Sequence, residues 1–276
     1  MSGLNGKIAV VTGASRGLGQ RIALRLAEGG AAVALIARSE AALDETANAV
    51  RARGGTAQTL CADLAQADPA AVADIKARVV EGLGTPSILV NNAGIFGPIQ
   101  LIKDSDPVAW LETMTINALN PYLFCRAFVG GMIDGRWGRI INITSAAALH
   151  EPGPLTSAYA TSKVALNHFT RHLAAELVGT GVTANVIHPG DVKTEMWAGI
   201  RDTAMAMGAE AEAYRQWAQW VEQTGGDDPE KAADLVMNLM SDKAASVSGQ
   251  FLWIEGGLQA PIPSWGEPTN KQPWRD

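Results

Sequence analysis

Tyr159 and Lys163 are the residues whose types and spacing first suggest chemistry in this sequence of 276 residues. They lie in the segment SAYATSK, and residues four apart on a helix are surface neighbours, about 5–6 Å apart at Cβ. A lysine ammonium at that distance favours the phenolate form of a tyrosine, whose free pKa of about 10 is too high for easy proton exchange at neutral pH. The spacing is therefore typical of a tuned general acid/base, and a solvated helical pair is the alternative interpretation.

A glycine-rich loop, TGASRGLG, occupies residues 12–19 after the first predicted strand. Gly13, Gly17 and Gly19 form a GxxxGxG pattern, which differs from the GxGxxG dinucleotide fingerprint. Glycines let the backbone approach a pyrophosphate closely, and the helix that follows points its first amides at the anion. A tight strand-to-helix turn is the alternative, but the position of the loop at the start of a βαβ unit favours dinucleotide binding.

The residues at the end of the second predicted strand indicate which dinucleotide binds. An acidic residue about 20 residues beyond the glycine loop would hold the ribose 2′-hydroxyl of NAD. Ala37 and Arg38 stand there instead, and Arg16 lies in the glycine loop opposite. Because guanidinium groups suit phosphate oxygens, this arrangement predicts NADP(H) in preference to NAD(H). The alternative is that both arginines are ordinary surface charges.

A parallel sheet is the scaffold that the sequence predicts for these residues, because continuous apolar runs alternate with helical patterns. The predicted strands cover residues 7–12, 31–37, 56–62, 87–92, 138–144, 182–189 and 250–255. The predicted helices cover residues 17–28, 39–53, 68–81, 106–132 with a kink or fresh start at Pro121, 156–178 and 229–241. The expected fold class is α/β, a Rossmann-type doubly wound parallel seven-stranded sheet with helices on both faces. Ligands of such folds bind beyond the carboxyl ends of the strands.

The motifs stand in the order typical of one protein family: the glycine loop, NNAG at residues 91–94, Asn117, a serine after the fifth strand, and YATSK. From about residue 4 to residue 258 the sequence resembles the short-chain dehydrogenases/reductases. More narrowly, it is similar to their compact single-domain branch, which includes the 3-oxoacyl-carrier-protein reductases. The resemblance implies a catalytic tetrad of Asn117, Ser145, Tyr159 and Lys163. Thr144 and Ser157 are alternatives for the serine, because Ser145 is one residue farther from Tyr159 than is common in the family.

The resemblance also implies a cofactor site along the carboxyl ends of the strands. Asp63 matches the acid near the adenine ring, Val192 offers its backbone, and Thr194 can bind the nicotinamide carboxamide. The full set of expected cofactor-binding residues is Gly13, Ser15, Arg16, Gly17, Leu18, Gly19, Arg38, Asp63, Leu64, Asn91, Ala93, Gly94, Tyr159, Lys163, Pro189, Gly190, Val192 and Thr194. Asp191 is a departure, since the family often has a bulkier apolar residue there.

The expected activity is hydride transfer between the nicotinamide of NADP(H) and a small-molecule carbonyl or secondary alcohol, with Tyr159 as general acid/base. By resemblance, Ser145 would hold the substrate oxygen, Lys163 the cofactor ribose, and Asn117 a water. A non-catalytic dinucleotide-binding sensor or regulatory subunit is the alternative, although its tetrad would normally be damaged. A sugar-nucleotide epimerase or dehydratase would need a larger C-terminal substrate domain.

A single domain is expected over residues 1–260, followed by a C-terminal tail at 261–276. The segment 193–226 is long for a connection, and the spacing of Tyr214, Trp217 and Val221 predicts a short amphipathic helix within it. Its methionines and tryptophans suggest a mobile flap that forms an apolar wall over the substrate. Packing on the sheet or on a neighbouring subunit is the alternative.

Composition and charge narrow the classes of function. Hydrophobic residues make up 47% and charged residues 18% of the chain, and the formal net charge is −6, which argues against a nucleic-acid binder. We see no signal peptide and no apolar run of about 18 residues, so we expect a cytoplasmic protein without a membrane span. Cys61 and Cys125 are expected to be small buried residues. The resemblance implies a homotetramer or homodimer packed through the long helices.

His168, His172 and Glu176 follow one another at intervals of four on the predicted helix after Tyr159. That spacing could place metal ligands on one helix face. Because the sequence has no HExxH motif and this helix carries the tyrosine and lysine, we predict no metal site.

Overall fold

The structure is a computed structural model that describes residues 3–255 and 257–258. The strands are β1 Ile8–Thr12, β2 Ala32–Ala37, β3 Ala57–Cys61, β4 Ile88–Asn91, β5 Gly138–Ile143, β6 Val182–His188, β7 Phe251–Trp253 and β8 Gly257–Leu258. The helices are α1 Gly17–Glu28, α2 Glu40–Ala52, α3 Pro69–Gly82, α4 Pro107–Met114, α5 Asn120–Asp134, α6 Ser157–Glu176, α7 Glu195–Ala206, α8 Glu212–Thr224 and α9 Pro229–Leu239. The expected tail at 261–276 lies outside the described residues.

The strands form one sheet in the order β3-β2-β1-β4-β5-β6-β7-β8. Strands β1 to β7 pair in parallel, which confirms the predicted doubly wound sheet, and the short β8 adds an antiparallel edge. The strand order reverses between β1 and β4, where the connecting helices leave on opposite faces. A crevice forms beyond the carboxyl ends of strands at such a switch point.

Alternate residues of each strand face two separate apolar layers, because strand side chains alternate between the faces of a sheet. Val11 packs with α1, α2 and α9 on one face, and Val10 packs with α3, α5 and α6 on the other. The sheet is thus buried on both faces, which explains the continuous apolar strands in the sequence. None of the described helices is both long and apolar enough to cross a membrane.

Two departures from regular helix bear on the site. A π-helical turn, Thr115–Leu119, joins α4 to α5, so the predicted restart at Pro121 is confirmed. The segment predicted to hold one short amphipathic helix contains two helices, α7 and α8. Val221 is fully buried, as its spacing predicts. Both helices contribute to a third apolar cluster, α7 through Ile200 and α8 through Tyr214 and Trp217.

Candidate active site

A large cavity opens along the carboxyl ends of the strands and extends from the glycine loop to α7 and α8. Most of the residues predicted from the sequence line it: Gly13, Ser15, Arg16, Gly17, Leu18, Gly19, Arg38, Asp63, Leu64, Ala93, Gly94, Ser145, Tyr159, Lys163, Pro189, Gly190, Val192 and Thr194. Asn91 and Asn117 do not line the cavity and are described below.

The glycine loop leaves bare backbone at the start of α1. Gly13 and Gly17 have φ angles of 64° and 55°, a region that favours glycine. A Cβ on Gly19 would collide with the carbonyl of Gly13, whereas a Cβ on Gly17 would meet nothing closer than the Thr194 methyl at 4.0 Å. The N-cap residue Arg16 makes no side-chain hydrogen bond to the first amides of α1. Those amides therefore face the cavity, which is the arrangement that binds a phosphate.

Ser145 is the serine that faces Tyr159. It follows β5 and lines the cavity with Tyr159, close enough for its hydroxyl to lower the pKa of the phenol. The same hydroxyl accepts the Ala147 N–H at 3.2 Å. The two alternative residues are engaged elsewhere. Thr144 donates its hydroxyl to the Asn167 side chain at 2.6 Å, and the Trp110 indole donates to the Ser157 hydroxyl at 3.2 Å.

Tyr159 and Lys163 both lie buried on the first turns of α6, with 9% and 5% of their surface exposed. The Lys163 Nζ lies 5.6 Å from the centroid of the Tyr159 ring and donates to the Ile143 carbonyl at 2.9 Å. Burial lowers the pKa of Lys163 to about 8. Burial also raises the pKa of Tyr159, the nearby Ser145 hydroxyl opposes the rise, and the nearby Asp191 adds to it. The expected lowering of the tyrosine pKa is therefore wrong for this structure, because desolvation of the phenol dominates.

Asn117 lies in the π-helical turn, fully buried behind the cavity. Its amide accepts the Ile95 N–H at 2.9 Å and donates to the Ile95 carbonyl at 2.8 Å and to the Ser162 hydroxyl at 3.0 Å. Ser162 in turn donates to the Tyr159 carbonyl at 2.7 Å. Pro121 has no N–H to donate to the carbonyl of Asn117 four residues earlier. The Asn117 side chain thus ties the cavity wall to α6.

The sequence of the chain matches a known family. A family model described as short chain dehydrogenase matches residues 7–205. The chain belongs to the short-chain dehydrogenase family.

Two relatives show how far this similarity extends. The 3-oxoacyl-acyl-carrier-protein reductase FabG of Pseudomonas aeruginosa is 35% identical over 256 residues, which cover 92% of this chain and 98% of that protein. A short chain dehydrogenase of Pseudocercospora fijiensis is 39% identical over 197 residues, which cover 71% of this chain and 62% of the relative.

Solved structures of the same family share the fold. NAD+-bound xylitol dehydrogenase has a TM-score of 0.82 and 29% identity, with 92% of this chain and 99% of that chain covered. A variant of actinorhodin polyketide ketoreductase with NADPH has a TM-score of 0.80 and 31% identity, with 90% and 95% covered. The protein is an NAD(P)-dependent short-chain dehydrogenase/reductase, similar to 3-oxoacyl-acyl-carrier-protein reductases.

Asn92, which sequence reasoning missed, secures the cofactor crevice of this short-chain dehydrogenase. Its backbone N–H donates to the Thr12 hydroxyl at 3.0 Å, and its amide donates to the carbonyls of Thr12 and Gly13 at 3.0 and 3.2 Å. The side chain of Asn91 instead donates to Asn142 on β5 at 2.8 Å. Asn91 therefore supports the sheet, as the family resemblance implies for this segment, but its side chain does not line the cavity.

His188 is the second residue that sequence reasoning left without a role. It ends β6, is 6% exposed, and accepts the Ala146 N–H on its Nδ1 at 3.3 Å. Its ring packs edge-on against Trp253, with centroids 4.6 Å apart. Burial lowers the pKa of His188 to about 4, so the imidazole is neutral near pH 7 and holds the turn that carries Ser145.

Two further details concern side chains in the glycine loop and at the end of β3. Arg16 forms an ion pair with Glu195 in the first turn of α7, and both side chains are exposed. Cys125 is buried as expected, but the prediction is wrong for Cys61, which is exposed and donates its thiol to the Arg38 carbonyl at 3.2 Å. Cys61 ends β3, and β3 lies at the edge of the sheet, where one side of the strand is open.

His168 and His172 stand side by side on the exposed face of α6, with their Nε2 atoms 3.2 Å apart. Within residues 3–255 and 257–258, no group of three or more histidine, cysteine or acidic side chains is placed to hold a metal ion.

Proposed function

We propose that this protein transfers a hydride between NADP(H) and a carbonyl or secondary alcohol, with Tyr159 as the general acid/base. The observation that carries the proposal is the convergence of Ser145, Tyr159 and Lys163 on one side of a cavity whose other end is the glycine loop. These groups occupy the first turns of α6 and the end of β5, so rigid elements hold them in place.

The described residues fit a dinucleotide. The uncapped amides at Gly17 suit its pyrophosphate, and Thr194 and the backbone of Val192 would hold the nicotinamide end. When bound, the cofactor supplies or accepts the hydride. Arg38 at the adenosine end would hold a 2′-phosphate, which supports NADP(H) over NAD(H). Relatives of known structure include one with NAD+ and one with NADPH, so the preference rests on Arg38 and the missing acid.

Side chains and backbone groups of the protein would donate the proton to the substrate and replace it afterwards. A raised pKa keeps the Tyr159 phenol protonated at neutral pH, ready to donate to the oxygen of a carbonyl substrate as charge develops on it. Ser145 would hold that oxygen through its hydroxyl. The ammonium of Lys163 would stabilise the phenolate that remains, and the backbone carbonyl of Asn117 would anchor the water that returns a proton. Oxidation of an alcohol uses the same groups in reverse.

A non-catalytic dinucleotide sensor remains the alternative function. The placement of the Ser145 hydroxyl close to the Tyr159 phenol favours the enzyme, because a sensor has no need of it. Assembly into a homotetramer or homodimer stays a prediction, supported by large apolar side chains that are exposed on α4, α5 and α6, namely Val108, Leu111, Tyr122, Ile133 and Val164. The cytoplasmic location also stays a prediction.

The direct test follows the absorbance of NADPH with a panel of ketones, aldehydes and 3-oxoacyl thioesters. We expect at least one class to be reduced in a reaction that saturates with substrate, and the same reaction to fail in Tyr159→Phe. If the protein binds NADPH but neither reduces any of these carbonyls nor oxidises the matching alcohols with NADP+, the sensor is the better proposal.

A further inference from the structure

The substrate end of the cavity has aromatic walls beside the catalytic tyrosine. Phe96 stacks on Tyr159 with ring centroids 4.5 Å apart, and Tyr214 packs edge-on against Phe96 at 6.2 Å. Tyr214 shares a hydrogen bond of 2.8 Å with the Thr156 hydroxyl, which fixes its ring. Trp217 also lines this end of the cavity.

A carboxylate, Asp191, lines the same cavity, and its charge acts on the pKa of Tyr159. Its backbone is anchored twice to Asp227: its N–H donates to the Asp227 carboxylate at 2.7 Å, and its carbonyl accepts the Asp227 N–H at 3.0 Å. Val192 and Gly226 continue this pairing as an antiparallel bridge. The Trp217 side chain also lines the cavity, close enough to Asp191 to lower the pKa of its carboxylate.

Among the described residues Asp191 has no lysine or arginine partner, although His150 lies near enough to lower its pKa. Within residues 3–255, no lysine or arginine forms an ion pair with it. Lys193, two residues away, instead pairs with Glu222 at 2.8 Å on the outer side of α8. Removing an unpaired carboxylate from water is costly, and burial raises the pKa of Asp191 accordingly. A cation beside it would offset that cost.

We propose, resting on the proposed hydride transfer, that the substrate carries a cationic amine close to its carbonyl or alcohol carbon. The ammonium binds to the Asp191 carboxylate, and the rings of Tyr214 and Trp217 cover it. Aromatic faces attract cations, above all ammonium groups that bear methyl substituents and are weakly hydrated. The same carboxylate repels a substrate with a carboxylate or phosphate at this position.

A pair of isosteric ketones tests the proposal. Acetonyltrimethylammonium carries a permanent positive charge, and methyl neopentyl ketone has the same shape with carbon in place of nitrogen. A second pair with two more methylenes between the carbonyl and the branched group covers a longer spacing. The readout is the ratio of kcat/KM for the charged ketone to that for the neutral one, measured in wild type, Asp191→Asn and the control Glu151→Gln. Glu151 also lines the cavity but is exposed at its rim.

We expect the ratio for at least one pair to fall tenfold or more in Asp191→Asn and to change less than twofold in Glu151→Gln. Comparing ratios between variants cancels the intrinsic reactivity of each ketone. The proposal is overturned if the ratio is the same in wild type and Asp191→Asn for both pairs, or if Glu151→Gln lowers it equally. If no ketone of either pair or of the broader panel is reduced and none of the matching alcohols is oxidised, the proposed hydride transfer itself fails. That outcome differs from turnover without charge selection.

Discussion

The Lys163 ammonium lies beside the ring of Tyr159, at 5.6 Å from its centroid, and donates to the Ile143 carbonyl rather than to the tyrosine hydroxyl. The lysine is thereby held at the end of β5, and the Ser145 hydroxyl lies close to the phenol. Because Lys163 and Ser145 have different hydrogen-bond partners, single substitutions should separate proton transfer from cofactor binding.

Tyr159→Phe should reduce kcat by at least a hundredfold, because a positioned general acid contributes about 10²–10⁴-fold. The substitution removes only the hydroxyl, and the ring keeps its stacking on Phe96. NADPH affinity, measured by nucleotide fluorescence, should stay within a factor of about three. Activity within about tenfold of wild type, a change of only ~1.4 kcal/mol in the barrier, would refute the acid role.

Arg38→Ala should weaken NADPH much more than NADH. We expect a loss of tenfold or more in kcat/KM for NADPH and a change below about threefold for NADH, because only NADPH presents a 2′-phosphate. Arg16→Ala should show a smaller selective loss, since Glu195 already neutralises part of the Arg16 charge. The double variant with both arginines removed should lose most of the discrimination.

The matched control for these variants is Arg78→Ala, which removes an exposed arginine on α3 that pairs with Asp74. It should leave the NADPH-to-NADH ratio unchanged. Equal kcat/KM for the two cofactors in the wild-type enzyme would contradict the proposed preference for NADP(H).

His188 should make the protein less stable in mild acid. Its pKa falls from the ordinary value of 6.5 to about 4 in the folded state, so between these values the unfolded chain binds more protons. The free energy of unfolding therefore decreases as the pH falls from 6.5 towards 4, by on the order of 3 kcal/mol for this group alone. In His188→Gln that part of the decrease should disappear.

Urea unfolding at several pH values measures this effect. His168→Gln is the control, because His168 lies on the open face of α6 and its removal should keep the wild-type slope. A His188→Gln profile parallel to that of wild type between pH 6.5 and 4 would show that the burial of His188 does not control acid stability.

The sequence predicts the sheet and the order of the motifs well because both depend on local patterns. It does not predict which side of the sheet a side chain reaches at the end of a strand. The sequence therefore assigns Asn91 to the cofactor site, whereas Asn92 is the residue whose side chain bonds to the glycine loop. The sequence also does not show how deeply a given side chain is buried in the folded protein. The spacing of Tyr159 and Lys163 indicates their proximity, but the direction of the tyrosine pKa depends on how deeply the phenol is desolvated.

Helices α7 and α8 lie in the segment 193–226, which the sequence predicts to be a mobile flap. Trp197 and Ile200 of α7 are 4% exposed, so much of the predicted flap is already packed in the structure. Exposed ion pairs join the two helices, Arg201 of α7 with Glu222 of α8, and join α7 to the glycine loop, Glu195 with Arg16. Exposed pairs stabilise by only about 0–1 kcal/mol, so they permit the two helices to move as a unit.

The pair of helices α7 and α8 would close over the cavity when the cofactor and a substrate are bound. The closed helices would then exclude water from the hydride transfer. Hydrogen-exchange mass spectrometry should then show slower exchange across 193–226 with NADP+ and an alcohol than with NADP+ alone. Glycine-loop peptides should respond to NADP+ alone and serve as the internal control. The Glu195→Gln variant, which releases Arg16, should raise exchange in α7 without ligands. Full protection of 193–226 in the free protein, with no increase on adding both ligands, would mean that α7 and α8 are a fixed wall and that substrates enter by another route.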